Sequence, residues 1–149
     1  MWPFKRKKWE ELGTGWTSAG VESTLYSLTK CDDIHLRDIS YRALPLDAFQ
    51  TLMWNCRPMT PEAYRKQIFD CDDHACCFEA DMRREWAKRS NGEEALCFGY
   101  ISAKVLTADG ELQHAFIWML DDVGMIHYIE PQTNRMMEWK IISITELWG

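Results

Sequence analysis

The residues of this sequence that could perform covalent chemistry are a thiol at Cys71, an imidazole at His114 and a carboxylate at Glu130. A thiol nucleophile requires a nearby base that accepts and returns its proton, and the base requires a third group that fixes its tautomer. These three residues, in this chain order, predict a thiol hydrolase that cleaves an amide or peptide bond through an acyl-enzyme. Acyl transfer to an amine would use the same residues.

An acyl-enzyme mechanism also needs hydrogen-bond donors for the oxyanion that forms on the substrate carbonyl. The backbone N–H of Cys71 is one candidate, and a side-chain amide is the other. Gln67 lies four residues before Cys71, and Gln132 lies two residues after Glu130. We therefore expect Gln67 and Gln132 to support the oxyanion.

The candidate nucleophile needs an element that holds it in place. Asp70 is a suitable helix N-cap, and Asn91-Gly92 is a suitable stop. Between them, apolar residues recur at spacings of three and four, at Cys71, Ala75, Phe78, Met82 and Trp86. The spacing predicts a long helix with Cys71 in its first turn, where free N–H groups and the helix dipole favour a thiolate.

The residues after this helix form short alternating runs separated by turn signals, which predicts an antiparallel sheet. The predicted strands cover 96–105, 112–120, 125–131 and part of 137–147. A two-residue turn at Asp109-Gly110 would pair His114 with Val105. The face that carries His114 is then apolar, and we expect the Cys71 helix to cover it.

The second hairpin decides whether the carboxylate reaches the imidazole. A bulged turn ending at Gly124 pairs Trp118 with Tyr128 and places Glu130 diagonally next to His114 on one face. A slip of one residue would move Glu130 to the other face.

The first ninety residues indicate helices rather than strands. Helical spacing covers 46–54, a Thr60-Pro61-Glu62 start signal opens a short helix to about residue 67, and another short helix is predicted around 21–28. Together these patterns predict an α+β fold, a single domain over 1–149, with helices from the N-terminal half packed on an antiparallel sheet from the C-terminal half. Residues 1–15 read as a basic and aromatic arm.

Two acidic residues follow the candidate nucleophile. Asp72 and Asp73 either bind a divalent cation or complement the helix dipole as first-turn acids. A zinc set is a further alternative, formed by Cys71, His74, Cys76, Cys77 and His114. Helical geometry disfavours zinc because residues 76 and 77 point away from the face shared by 71 and 74.

Composition limits the possible partners and compartment. The net charge is −6, and residues 67–149 hold seven Lys and Arg against fifteen Asp and Glu. A nucleic-acid groove needs an excess of cations, so nucleic acid is not expected as a partner. The six Cys form no CxxC pair, no signal peptide is recognised, and no apolar run is long enough for a transmembrane segment. We therefore expect reduced thiols and a cytoplasmic location.

The motifs at residues 70–132 also resemble a known family. Asp-Cys-Asp-Asp at a helix start, His114 on a strand and Glu-Pro-Gln at 130–132 resemble the papain-like, calcium-dependent cysteine protease domain at the C-terminus of the fairy-ring mushroom agglutinin. The resemblance covers a little under half of the chain and implies a papain-like fold. It implies Cys71 as nucleophile, His114 as base and Glu130 as orienting carboxylate. It also implies calcium or another divalent cation near Asp72 and Asp73.

These inferences lead to one expected function and one alternative from another class. The expected function is a papain-like thiol hydrolase that acts on a peptide or protein substrate and depends on a divalent cation. The alternative is a catalytically silent protein of the same fold, such as a small phage or bacterial accessory protein, that acts by binding another protein. The sequence leaves the oligomeric state open.

Overall fold

The computed structural model describes residues 9–56 and 70–149. After a short 3-10 helix at Trp9–Glu11, its helices are α1 (Ser18–Thr29), α2 (Leu46–Cys56) and α3 (Cys71–Arg89). Its strands are β1 (Thr14–Thr17), β2 (Ile34–His35), β3 (Ser40–Ala43), β4 (Ala95–Leu96), β5 (Phe98–Thr107), β6 (Gly110–Leu120), β7 (Ile126–Glu130), β8 (Arg135–Met136) and β9 (Lys140–Trp148). The predicted helix at Thr60, the predicted role of Gln67 and the start of the 1–15 arm lie outside the described residues.

The strands form two sheets. The larger has the order β2-β9-β5-β6-β7-β8, in which only β2 and β9 run parallel. The smaller has the order β1-β3-β4, with an antiparallel β1–β3 pair and a parallel β3–β4 pair. Cys97 joins the sheets, because its N–H donates to the Arg42 carbonyl at 3.0 Å and its carbonyl accepts the Leu120 N–H at 3.2 Å.

Both faces of the larger sheet are covered. Helices α2 and α3 pack on one face, and α1 and the smaller sheet pack on the other. Alternate residues of β6 belong to the two clusters, with Ala115, Ile117 and Met119 in the first and Phe116, Trp118 and Leu120 in the second. Burial of a large apolar side chain contributes about 1.5–3 kcal/mol, so these two clusters supply the main stabilisation of the sheet.

Helix α3 begins at Cys71 because Asp70 caps it. The Asp70 Oδ1 accepts the Asp72 N–H at 3.3 Å, and the Asp73 Oδ2 accepts the Asp70 N–H at 3.1 Å, which completes a capping box. At the other end, Lys88 and Arg89 complement the negative end of the helix dipole. The predicted start of this helix is confirmed.

The two hairpins that carry His114 and Glu130 differ in how well the sequence predicted them. The β6–β7 ladder pairs Trp118 with Tyr128, as expected. The β5–β6 turn lies one residue earlier than expected, so that His114 pairs with Ala103 rather than Val105. A shift of two residues leaves side chains on the same face. However, the buried residues of α3 pack with Ala115, Ile117 and Met119 on the opposite face of β6, and the first residue of the helix, Cys71, interacts with His114. The expectation that the helix covers the His114 face is therefore wrong.

The predicted fold class is also wrong. In place of a papain-like arrangement with one antiparallel sheet, the described residues form a mixed α/β domain with nine strands in two sheets and three α-helices. The expectation failed because β1 and β3 are only four residues long and give no clear alternation in the sequence. Parallel pairing of β2 with β9 connects chain segments more than a hundred residues apart, which no local pattern indicates. Among the described residues, no helix is long and apolar enough to cross a membrane.

Candidate thiol site

Cys71 is a partly exposed, free cysteine at the first position of α3. Its Sγ lies 3.8 Å from Oδ1 of Asp72, and the side chain contacts the apolar cluster beneath α2 and α3. The first turn of a helix has backbone N–H groups without partners inside the helix, and these favour negative charge. The position therefore suits a thiolate.

His114 lies on β6 beyond the Ile117–Ile129 pair, where the β6–β7 ladder ends. Its Nε2 is 2.6 Å from Oε2 of Glu130, and the Cys71 thiol is near enough to affect the pKa of the ring. Burial alone would lower the pKa of His114, but the hydrogen bonds to Cys71 and Glu130 outweigh burial and raise this pKa to about 9. An imidazolium at neutral pH stabilises a neighbouring thiolate.

Glu130 is the last residue of β7 and is held from two directions. Its Oε2 contacts His114, and its Oε1 accepts the backbone N–H of Gln132 at 3.1 Å. The Glu130 carbonyl accepts the Asn134 N–H at 2.9 Å, which closes the turn that follows. The carboxylate is therefore fixed in the orientation that a residue positioning the imidazole requires.

Two aromatic rings border the imidazole. The Phe116 ring stacks on His114 with centroids 5.6 Å apart, and the Trp139 ring meets it edge-on at 5.1 Å. A cavity of about 340 Å³ opens between Trp139 and Glu130. No period or motif in the sequence indicates that the turn after β7 brings Trp139 back to His114.

The predicted support residues have a mixed outcome. Gln132 does lie next to the site, but the contact that the structure shows is its backbone N–H to Glu130. A role for its side-chain amide at an oxyanion stays a prediction. The same holds for Gln67.

The two candidate cation ligands are used differently. Asp73 accepts the Asp70 N–H in the capping box, whereas Asp72 remains exposed. Burial of the carboxyl and the neighbouring Asp70 raise the pKa of Asp72, and a hydrogen bond from Cys71 opposes them. Within the described part of the chain, the one group of potential metal ligands is Asp70, Cys71 and Asp72, whose ligand atoms lie within 4.8 Å of one another. The alternative zinc set does not come together.

The sequence of the site region matches a known family. The profile of the family described as agglutinin C-terminal matches residues 41–136, more than half of the chain, and this span contains Cys71, His114 and Glu130. The chain belongs to the agglutinin C-terminal family. The resemblance to an agglutinin C-terminal domain is thus confirmed, whereas the family match gives no evidence of a protease. No curated protein sequence matches the chain.

Two solved structures share the fold. PSL1a, in a complex with E64, is 22% identical, with a TM-score of 0.63 over 88% of this chain and 51% of PSL1a. The Polyporus squamosus lectin, bound to the human-type influenza-binding epitope Neu5Acα2-6Galβ1-4GlcNAc, is also 22% identical, with a TM-score of 0.67 over 88% of this chain and 49% of the lectin. The chain therefore spans about half the length of each of these proteins.

These matches contradict the predicted function. The matching family is described as an agglutinin domain, and one structure of the same fold is a lectin with a bound glycan; the prediction of a papain-like cysteine protease with a peptide or protein substrate is wrong. The alternative of a phage or bacterial accessory protein that binds another protein is not supported by them either. Residue types at Cys71, His114 and Glu130 are those that thiol chemistry requires, but they do not specify a substrate.

Proposed function

We propose that Cys71 is a nucleophilic thiol, with His114 as its base and Glu130 as the residue that positions His114. The observation that carries this proposal is the 2.6 Å contact between Nε2 of the buried His114 and Oε2 of Glu130, next to a Cys71 thiol whose interaction with the ring helps to raise the pKa of His114. The proposed function is covalent bond formation between this thiol and an electrophilic carbon of a bound ligand.

The proposed step is balanced within the three residues and the ligand. In the resting pair the proton of Cys71 is already on His114, and the thiolate Sγ forms a bond to the electrophilic carbon as the bond from that carbon to its leaving atom breaks. His114 returns the proton to the leaving atom. Glu130 stays ionised, stabilises the imidazolium until His114 gives up its proton, and holds the neutral ring in place afterwards.

Site-resolved alkylation by iodoacetamide at pH 6.5 tests this proposal. Cys76 is the internal control, because it is an exposed cysteine on the same helix and lacks an imidazole partner among its identified contacts. We expect Cys71 to react at least about tenfold faster than Cys76 in the native protein. His114→Ala should remove the difference, whereas His127→Ala, which removes another carboxylate-paired imidazole, should not. Equal rates at Cys71 and Cys76 in the native protein would exclude the proposal.

Glycan recognition is a second proposed function. It is supported by the family match and by the glycan bound to the Polyporus squamosus lectin, which shares this fold. Calorimetric titration of this chain alone with Neu5Acα2-6Galβ1-4GlcNAc and with Galβ1-4GlcNAc tests it. Saturable binding of either glycan supports the proposal, and no heat of binding for both opposes it.

A divalent cation is proposed as a cofactor at Asp72, with Asp70 as a second carboxylate. Calcium prefers oxygen ligands, and these two side chains supply them next to Cys71, where a bound cation would add positive charge beside the thiolate. Asp73 would act indirectly, through the helix cap. We expect calcium alone to raise the melting temperature of the native protein but not of Asp72→Asn. Asp32→Asn is the control, because Asp32 is an exposed acid far from the site in sequence.

A reducing compartment is the proposed location. All six cysteines are free in the structure, and the proposed chemistry requires Cys71 in particular to be reduced. We expect protein produced in a reducing cytoplasm to give six titratable thiols after denaturation. Fewer than six would oppose a cytoplasmic location.

A further inference from the structure

A cavity of about 340 Å³ adjoins the His114–Glu130 pair, because Glu130 lines it and Trp139, which also lines it, contacts the His114 ring. Its wall is formed by the turn after β7, by β8 and by the residues that lead into β9. This volume lies at the lower end of the range for small-molecule sites, which is about 300–1,000 Å³. The cavity can therefore hold a ring-sized part of a ligand next to the thiol site.

The apolar part of the cavity is built around Trp139. This side chain is 43% exposed although it touches the buried His114 ring, so part of the indole remains open to the cavity. Met136 and Met137 extend the apolar wall. Aromatic side chains exposed in this way provide a large, rigid contact surface at low cost in conformational entropy.

The polar part of the cavity offers both donors and acceptors. Gln132, Thr133, Arg135 and Glu138 contribute amide, hydroxyl, guanidinium and carboxylate groups to the lining. Glu130 forms an ion pair with His114. The lining also holds one further carboxylate, Glu138, and one guanidinium, Arg135, so these two charges cancel in the count. Among the described residues that line the cavity, no cation is in excess over the carboxylates, which favours a neutral ligand with many hydroxyl groups.

We propose that this cavity binds a neutral pyranose ring, which packs one C–H face on the Trp139 indole and directs its hydroxyls to Gln132, Thr133, Arg135 and Glu138. A pyranose combines one apolar face with a polar rim, as the cavity lining does. The inference rests on the proposed function, because the cavity adjoins the same His114–Glu130 pair that acts on Cys71 in that proposal. It adds the ligand class and the residue that recognises it.

Titration of the native protein with Galβ1-4GlcNAc, followed by ligand-observed NMR and calorimetry, tests the proposal. We expect saturable binding that falls at least about tenfold in Trp139→Ala and is largely retained in Trp139→Phe, which keeps an aromatic surface. Trp54→Ala is the matched control, because Trp54 is an exposed tryptophan on α2 outside the cavity. Melting temperatures of all variants establish that each is folded.

The same experiment includes a charge test and a test at the thiol. The sialylated glycan Neu5Acα2-6Galβ1-4GlcNAc should bind no more tightly than the neutral disaccharide, and the disaccharide should slow alkylation of Cys71 without changing that of Cys76.

Equal binding by the native protein and Trp139→Ala, or no binding at all, overturns the sugar proposal. If Cys71 still reacts selectively in that case, the proposed thiol function stands. If Cys71 is not selectively reactive, the thiol function fails on separate evidence.

Discussion

Nε2 of His114 lies 2.6 Å from Oε2 of Glu130, in a place where the imidazole is 4% exposed and the carboxylate is held by a second hydrogen bond from the chain. These residues are sixteen positions apart on neighbouring strands. The distance is short enough for a strong, charge-assisted hydrogen bond. This pair determines the charge on the ring that contacts Cys71, and the predictions on the site follow from it.

Replacing Glu130 by Gln should lower the pKa of His114. The substitution keeps the shape of the side chain but removes the negative charge, while the burial that disfavours the imidazolium remains. We expect the pKa to fall from about 9 by about 1–3 units, as for other pairs of opposite charge. Titration of the His114 ring signals by NMR measures the shift. An unchanged pKa would show that Glu130 does not set the charge of the ring.

Stability should decrease as pH rises from neutral. Because the pKa of His114 is raised from 6.5 to about 9 in the folded protein, the folded state keeps a proton that the unfolded state loses over this range. The contribution of protonated His114 to the free energy of unfolding is complete below about pH 6.5 and is lost as pH rises through about 9. Its full size is on the order of 3 kcal/mol. Urea unfolding between pH 6 and 9 measures it. The free energy of unfolding should fall less steeply with pH in Glu130→Gln than in the native protein. Equal slopes would contradict the attribution of this pH dependence to the His114–Glu130 pair.

The cap of α3 should control the reactivity of Cys71 as well as stability. Asp70→Ala removes the acceptor for the first turn and should cost about 0.5–2 kcal/mol. We expect it also to reduce the rate at which Cys71 is alkylated, since the thiol is the first residue of the helix. Asp70→Asn, which can still cap, is the matched control and should retain stability. Loss of stability without any change in the alkylation rate would show that the cap does not control the reactivity of Cys71.

The buried carboxylate of Asp121 should stabilise the hairpin that carries Glu130. Asp121 is buried, which by itself would raise its pKa, but hydrogen bonds from His127, Met125 and Val123 outweigh burial and lower it. The contribution of ionised Asp121 to the free energy of unfolding is therefore present above its unfolded pKa near 4. It is lost as pH falls through the lower pKa of the folded state. Asp121→Asn should destabilise by about 1–3 kcal/mol at pH 7, whereas Asp109→Asn at an exposed turn should not. Thermal unfolding from pH 3 to 7 tests both the loss and its pH dependence.

Local signals predicted the elements that hold the three site residues. The N-cap at Asp70 and the spacing of three and four after it define α3, and the three-residue turn before Met125 fixes the β6–β7 register. These features depend on residues that are close in sequence, so they can be recognised without a structure. The contact between His114 and Glu130 then follows from the register.

Long-range packing was not predictable in the same way. Strands β1 and β3 are too short to show a period, and β2 joins β9 across most of the chain. The position of Trp139 depends on a turn in which Asn134 adopts a φ of 57°, and nothing in the local sequence indicates which side chain that turn brings back to the site. The substrate class was also beyond the sequence, because a thiol, an imidazole and a carboxylate define a reactivity rather than a ligand.

The pH dependence of Cys71 alkylation in the native protein tests the central claim most directly. If Cys71 and His114 form a thiolate–imidazolium pair, the rate constant for iodoacetamide should stay high from about pH 9 down to about pH 6 and should lose this acid-side plateau in His114→Ala. A rate at Cys71 that instead falls about tenfold for each unit below pH 8, as for an ordinary thiol, would contradict the account.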